Sequence, residues 1–209
     1  DLDVLVFLLG VMILVAYLEL GGFFEWAAGW VLPRVRTQRQ LMVAVLLGSA
    51  ALSALFVNDT VCLMLTPVLL ATLVPLGIRP VPYLIALAMG ANIGSALTVV
   101  GNPQNMLIGL WSGVPFASFS WRMTPVVVGG LGIATAILLL VYRRELAGPL
   151  PDRVHIGEPA LDRRIVFTAL ALFAGALLAW LLGGSLPLVA IVAGALMIAL
   201  GRQDPGPAL

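Results

Sequence analysis

The sequence predicts an all-α polytopic membrane protein, from its composition, its long apolar runs and the polar residues that interrupt them. Of the 209 residues, 61% are hydrophobic and 10% are charged, and the mean hydropathy is +1.10. A soluble domain carries about 25% charged residues on its surface. The main solvent of this chain is therefore expected to be the lipid bilayer, with a multi-pass location in the cell (inner or plasma) membrane.

Several function classes are excluded by what the sequence lacks. The net charge of +1 gives no basic field that would attract nucleic acid. One cysteine, Cys62, and one histidine, His155, are too few for a disulfide framework or a Cys/His metal site. The sequence also has no HExxH, GxSxG or GxxxxGK motif. We therefore predict neither an enzyme nor a cofactor.

Eight apolar runs follow one another along the chain: residues 4–20, 41–57, 61–75, 83–100, 106–119, 125–142, 165–182 and 186–200. A straight membrane span needs about 20 residues, within a range of about 17 to 25. Runs 61–75 and 106–119 are shorter than this. Short or interrupted apolar segments indicate re-entrant hairpins and discontinuous helices, which accompany transport sites.

The arginines indicate how residues 83–119 cross the membrane, because short cytoplasmic loops carry the excess of basic residues. If these residues form one crossing that is broken near Gly101, ten of the eleven arginines lie on one side, and only Arg122 lies opposite. Two full spans would instead divide the arginines five to six. The count therefore favours one broken crossing, but it cannot distinguish a re-entrant hairpin at 41–76 from two full spans.

These observations divide the chain into five predicted segments. Residues 1–40 hold a transmembrane helix and an interfacial helix, the latter at 21–33 with Trp26 and Trp30 in the headgroup layer. Three further tryptophans near predicted span ends are expected to be interfacial anchors: Trp111, Trp121 and Trp180. The remaining segments are a re-entrant hairpin (41–76), the broken helix with its following span (77–142), a cytoplasmic linker (143–164) and a further helix pair (165–209).

The first cluster is residues 56–60 (FVNDT), in which the polar residues are Asn58, Asp59 and Thr60. Asp59 is the only formal charge between Arg39 and Arg79. An ionised carboxylate in hydrocarbon costs at least a few kcal/mol, so it is expected to face a cavity, a partner or an ion. The alternative is an ordinary turn outside the membrane, for which Asn-Asp-Thr is also suitable.

The second polar cluster spans residues 90–105 and holds six polar side chains: Asn92, Ser95, Thr98, Asn102, Gln104 and Asn105. Gly94, Gly101 and Pro103 all oppose a continuous helix, and the proline also removes an amide donor. Unwinding frees carbonyls for a cation, and a half-helix that begins near Gln104 directs its positive end at the break. The alternative is a kinked helix whose polar side chains pack against neighbouring helices.

At these clusters the sequence resembles the ion transporter superfamily, which includes arsenite permeases, NhaD-type antiporters, citrate transporters and related anion permeases. Residues 55–70 (LFVNDTVCLMLTPVLL) are similar to the first re-entrant hairpin of that superfamily, and residues 92–105 (NIGSALTVVGNPQN) to its broken fifth helix. Residues 22–27 (GFFEWA) resemble the segment before the hairpin in arsenite permeases. The tip reads Asn-Asp-Thr, whereas sodium-coupled dicarboxylate carriers have Ser-Asn-Thr.

The resemblance implies an inverted-repeat carrier, usually a homodimer, in which the hairpin-bearing domain moves like an elevator. The chain would then be a fragment that holds the first repeat and the start of the second. The implied coupling-ion ligands are Asn58, Asp59, Thr60, Gly94, Ser95, Thr98, Gly101 and Asn102. The implied substrate contacts are Asn58, Thr60, Asn102, Gln104 and Asn105, and no metal is implied beyond a possible Na⁺.

Three functions remain open from the sequence. The leading hypothesis is an ion-coupled secondary active transporter, or permease, of small anions, with Na⁺ or H⁺ as the coupling ion. No Arg or Lys lies within an apolar run, so Asp59 is better suited to a sodium ion or a proton than to a bare anion. The second is an arsenite or antimonite exporter or a Na⁺/H⁺ antiporter, and the third is a membrane scaffold subunit that transports nothing.

Overall fold

The structure is a computed structural model, and it describes residues 2–150 and 161–201. These residues form nine α helices: α1 (Leu2–Leu20), α2 (Phe23–Val31), α3 (Gln38–Leu55), α4 (Asn58–Leu73), α5 (Val81–Ser95), α6 (Pro103–Ser112), α7 (Phe116–Val141), α8 (Arg163–Leu181) and α9 (Leu186–Leu200). A 3₁₀ turn, Leu32–Arg34, follows α2. Helices α1, α3, α7 and α8 are long and apolar enough to cross a membrane. The all-α membrane class is thus confirmed.

The chain divides into two compact units. The first unit comprises residues 1–23 and 160–209, and in it α1, α8 and α9 pack together. A side chain at Gly10 would overlap the backbone of Ala190, so this glycine lets α1 and α9 approach closely. Asp162 accepts hydrogen bonds from the amides of Arg164 and Ile165 and thereby caps α8.

The prediction that Trp180 anchors the chain at the membrane interface is wrong. Its side chain is buried and packs edge-on against Phe7 and Phe173. The indole N–H donates to the carbonyl of Leu186, 3.3 Å away. A large apolar ring with one satisfied donor is stable in a helical core, so proximity to a span end does not define an anchor.

The second unit comprises residues 24–159 and contains α2 to α7. Helix α5 packs along α3, and α4 and α7 pack on α5. The packing is close because Gly90 and Gly94 of α5 face the backbone of α3, where an added methyl group would overlap Leu46 and Ala50. The buried core of this unit includes Met42, Leu46, Leu73, Tyr83 and Leu87.

Three arginine-bearing loops lie together at one end of the second unit. The amide of Gln38 donates to the carbonyl of Gly148 (3.3 Å), and the amide of Leu150 donates to that of Arg36 (3.0 Å). Arg79 lies 3.7 Å from the Glu145 carboxylate. These contacts agree with the arginine count, which puts these loops on one side of the membrane. The rest of the predicted linker, residues 151–160, lies outside the described residues, as do residues 202–209.

Two helix boundaries differ from the sequence prediction. Helix α7 begins at Phe116 rather than near Pro125, so Trp121 and Arg122 lie within the helix and Pro125 is an internal residue. Helix α5 ends at Ser95, although the apolar run continues to Val100. Apolar character therefore predicted these segments, but not where their backbone stops being helical.

Candidate functional site

The turn of the hairpin is formed by Phe56 and Val57 rather than by Asn58-Asp59-Thr60. Both turn residues have extended backbones and are buried, and the amide of Phe56 donates to the carbonyl of Leu52. The Asn-Asp-Thr sequence instead forms the first turn of α4. Val57 has no side-chain oxygen to cap these amides, and the first amides of a helix have no acceptor within the helix. The hairpin therefore presents an uncapped helix N-terminus.

The discontinuous helix is confirmed. Between α5 and α6, residues 96–102 are not helical, and α6 begins at Pro103. Asn102 has the extended backbone that a following proline favours, with φ −157° and ψ 159°. Its side-chain oxygen accepts from the amide of Asn105, 2.7 Å away. The Asn-Pro pair thus ends the break and caps the new helix.

The polar side chains of this break form hydrogen bonds with backbone carbonyls and side chains of the break itself. The side-chain amide of Asn105 donates to the carbonyls of Ser95 (3.1 Å) and Thr98 (2.9 Å). The side-chain amide of Asn102 donates to Ser95 Oγ at 3.1 Å. The Ser95 hydroxyl in turn donates to the carbonyl of Asn92 at 2.9 Å. These bonds satisfy backbone and side-chain groups that an unwound segment would otherwise leave unpaired. They give Asn102 and Asn105 a positioning role; ligand roles for these residues remain predictions.

The two breaks meet. The amide of Asn58, at the start of α4, donates to the carbonyl of Gly101 at 3.0 Å. The Thr98 hydroxyl donates to the carbonyl of Ala54, in the last turn of α3. The Asn58 side-chain amide also lies 3.4 Å from Asn92 Oδ1. The N-termini of α4 and α6 are therefore neighbours, although Pro103 lies 45 positions after Asn58 in the sequence.

Gly94 and Gly101 contribute space rather than functional groups. A side chain at Gly94 would overlap the backbone of Ala50, and one at Gly101 would overlap the carbonyl oxygen of Ser95. Gly94 lies within α5 rather than interrupting it, contrary to the expectation that it opposes the helix. Gly101 leaves its carbonyl oxygen free to receive the Asn58 amide.

Several polar groups at the junction are not used by the fold. Asp59 and Gln104 are exposed, and Thr60 is half-buried. Three buried side-chain oxygens have no hydrogen-bond partner among the described residues: Asn58 Oδ1 at the junction, Ser53 Oγ in α3 and Ser120 Oγ in α7. A buried oxygen without a partner is costly, and a bound cation would supply the missing contact. Oxygen atoms are the ligands that hard cations prefer.

Ser53 was missed from the sequence. Its only signal is its spacing from Ser49, because residues four apart lie on the same face of a helix. In an apolar run, serine is also common at helix packing contacts, so this spacing alone predicts no ligand. In the described part of the chain, no three His, Cys, Asp or Glu side chains are grouped so that they could hold a metal ion.

Membrane-length helices, together with a helical hairpin and an interrupted helix that meet at a polar junction, define the class of multi-pass membrane transport proteins. The family described as citrate transporter matches the chain over residues 1–209. The chain therefore belongs to the citrate transporter family. A multi-pass membrane location and the prediction that the chain is not an enzyme are both confirmed.

The chain is also similar to relatives with more specific names. The chain is 38% identical over 160 residues to the silicon efflux transporter LSI3 of Oryza sativa subsp. japonica, which is 76% of the chain and 33% of that protein. It is 33% identical over 144 residues to the putative transporter arsB of Dictyostelium discoideum (69% and 26%). It is 33% identical over 174 residues to the inner membrane protein YbiR of Escherichia coli strain K12 (83% and 46%). The chain thus spans about a quarter to a half of the length of these relatives.

Proposed function

We propose that this chain forms one half of the site of an ion-coupled secondary active transporter that carries small anions across the membrane. The observation that carries the proposal is the junction at which the amide of Asn58 binds the carbonyl of Gly101. At this junction two helix N-termini lie side by side. Helix N-termini attract anions through their free amides and their dipoles.

The helix ends matter because the surrounding segments contain no fixed positive charge. No basic residue occurs between Arg39 and Arg79, or between Arg79 and Arg122. The backbone amides of Asn58 and Asn105 are already bonded within the protein. An anion here would therefore depend on the remaining amides at the start of α4 and α6, on the Thr60 hydroxyl and on the Gln104 side-chain amide. Both side chains are accessible enough to contact it.

A coupling cation fits the oxygen atoms that the fold leaves unused. Asn58 Oδ1 and Ser53 Oγ are buried acceptors without partners, and the Asp59 carboxylate follows directly in the sequence. A bound Na⁺ or H⁺ would offset the negative charge of Asp59 and so allow an anion to approach. The cation would thus bind first and the anion second. This order of binding is the physical basis for coupling, because the bound cation removes the repulsion between Asp59 and the anion.

A second candidate is an arsenite or antimonite exporter, or a Na⁺/H⁺ antiporter. The observation that favours it is Asp59 itself, an exposed carboxylate at the junction that could carry the proton without any anion beside it. One relative is named putative transporter arsB, and another is named a silicon efflux transporter. A scaffold that transports nothing would leave the unpartnered oxygens at the junction without a role. The family resemblance also implies a homodimer, which chemical cross-linking in membranes would test.

The test is Asp59→Asn in the full-length protein, reconstituted in vesicles with imposed Na⁺ and proton gradients. Removal of the charge should abolish gradient-driven flux, because the amide cannot bind a proton and binds Na⁺ weakly. Glu19→Gln is the matched control, since it removes an exposed carboxylate at the end of α1, in the first unit, and should leave flux unchanged.

The transported probes distinguish the two candidates. Gradient-driven uptake of citrate supports the anion permease, whereas arsenite efflux or Na⁺/H⁺ exchange without citrate uptake supports the exporter or antiporter. If Asp59→Asn retained flux with the same ion dependence as the unaltered protein, the role of Asp59 would be wrong. Cysteines at positions 58 and 102 that aqueous thiol reagents could not reach would favour the scaffold.

A further inference from the structure

An apolar groove lies between α2 and the α3–α4 hairpin. It encloses about 420 Å³. Its walls are the apolar side chains of three helices, and the one polar residue that lines it, Ser49, donates its hydroxyl to the carbonyl of Leu46. The groove therefore offers no polar group to a ligand along its length and fits only an apolar occupant.

The length of the groove matches one leaflet of a bilayer. It follows α3 from Leu41 to Leu52, a rise of about 16 Å at about 1.5 Å per residue. The hydrocarbon core of a bilayer is about 30 Å thick, so this is roughly one leaflet. Gly48 lies midway along the groove and leaves room in it, because an added methyl group there would contact nothing within 4 Å.

One end of the groove carries positive charge. Trp26 and Trp30 line the groove and are 42% and 55% exposed, as tryptophans at a membrane interface are. The Arg34 guanidinium lies 3.8 Å from the centre of the Trp30 ring and donates one hydrogen bond to the Trp30 carbonyl. Arginine has five donors, so most of them remain for another acceptor.

No carboxylate lies close to Arg34 in the sequence. The acidic residues on the three helices that form the groove, Glu25 of α2 and Asp59 of α4, do not line it. There is no acidic residue from Trp26 to Asn58, whereas Arg36 and Arg39 follow Arg34 closely. Glu145, beside Gln38 at the same end of the unit, is paired with Arg79. The arginine count puts this end on the cytoplasmic side, where the leaflet contains anionic lipids.

We propose that the groove between α2 and the α3–α4 hairpin binds the acyl chain of an anionic phospholipid, whose phosphate contacts Arg34. The occupant is a lipid because the groove is apolar, is one leaflet long and ends at an exposed guanidinium. Arginine binds phosphate oxygens through two parallel N–H donors, which fixes the headgroup at the end of the groove.

The proposal is tested on the full-length protein, stripped of lipid in detergent and mixed with equal amounts of phosphatidylglycerol and phosphatidylcholine. Native mass spectrometry then counts the lipids retained. We expect retention of phosphatidylglycerol, its loss in Gly48→Leu, which fills the groove, and no change in Gly129→Leu. Gly129 is a matched control, since a methyl group there also contacts nothing, but it lies on α7 away from the groove. Arg34→Gln should lower the preference for phosphatidylglycerol about fivefold while leaving chain binding.

A second measurement does not depend on filling the groove. Brominated phosphatidylglycerol quenches nearby tryptophans, so Trp30→Phe should remove much of the quenching, and Trp111→Phe at the end of α6 should remove little. Equal retention of both lipids, unchanged retention in Gly48→Leu, or equal quenching in both tryptophan variants would overturn the proposal. If the unaltered protein retained no lipid, another segment of the protein would fill the groove, and the proposal would be wrong.

Discussion

The two breaks that meet at the junction solve the same physical problem differently. The break between α5 and α6 takes residues 96–102 out of the α helix, and the side-chain hydrogen bonds of Asn105, Asn102 and Ser95 hold much of this segment. The break between α3 and α4 consists of only Phe56 and Val57, and no side chain caps the helix that follows. The longer break is held by its own polar side chains, whereas the shorter one leaves polar groups open.

The difference follows from the number of backbone groups that each break exposes. Every unwound residue in a membrane protein carries an N–H and a C=O that must find partners. A long break therefore needs polar side chains as hydrogen-bond partners for its backbone groups, whereas a short break does not. In the proposed function, the α5–α6 break is therefore the fixed frame, and the start of α4 is where the ions would bind.

The largest expected effect tests the frame. Gly101→Ala puts a methyl group where the carbonyl oxygen of Ser95 lies, and this backbone atom cannot move without breaking the bonds from Asn105. We expect a loss of at least about 3 kcal/mol of stability. The measurement is the thermal unfolding midpoint of the full-length protein in detergent.

A matched substitution separates this steric effect from the general effect of adding a methyl group. Gly132 lies within α7, and a methyl group there would contact nothing within 4 Å. Gly132→Ala should leave stability unchanged or raise it by up to about 1 kcal/mol, the difference in helix propensity. Equal midpoints for the two variants would contradict the close approach of Gly101 to Ser95.

A smaller effect tests the side-chain bonds of the frame. Asn105→Ala removes two donors, to the carbonyls of Ser95 and Thr98, and should destabilise the protein by about 1–3 kcal/mol. Gln104→Ala is the control, because the neighbouring Gln104 side chain is exposed and should cost less than about 0.5 kcal/mol. If Asn105→Ala left the unfolding midpoint unchanged, Asn105 would not position the break.

The sequence predicted those features of the site that depend on local chemistry. Pro103 and Asn102 fixed the start of α6, because a proline restricts its own backbone and that of the residue before it. The end of α5 at Ser95 was not predictable in this way, because residues 96–100 are as apolar as the helix before them. The unwound segment is held by the nearby Asn105 side chain and by the carbonyl of Ala54, which lies 44 positions before Thr98 in the sequence.

The errors have the same origin. Asn-Asp-Thr is suitable for a turn, yet the turn is formed by Phe56 and Val57, and Phe56 packs edge-on against Phe24 of α2. The roles of Trp180 and Ser53 likewise depend on neighbours that one sequence does not reveal. Residue type thus predicted where the helices are interrupted, and tertiary contacts determined which polar groups remain unpartnered.

The smallest expected effect on stability is the most informative about the comparison. Asn58→Ala removes a weak 3.4 Å contact with Asn92, together with a buried oxygen that has no partner. The backbone amide at position 58 still donates to the carbonyl of Gly101. The free energy of unfolding, followed through the thermal midpoint, should therefore change by less than about 0.5 kcal/mol. Flux in vesicles should nevertheless require a higher concentration of the coupling cation, because the proposed cation site loses one oxygen. A clear loss of stability with unchanged cation dependence would make Asn58 part of the frame, and the two breaks would then share one structural role.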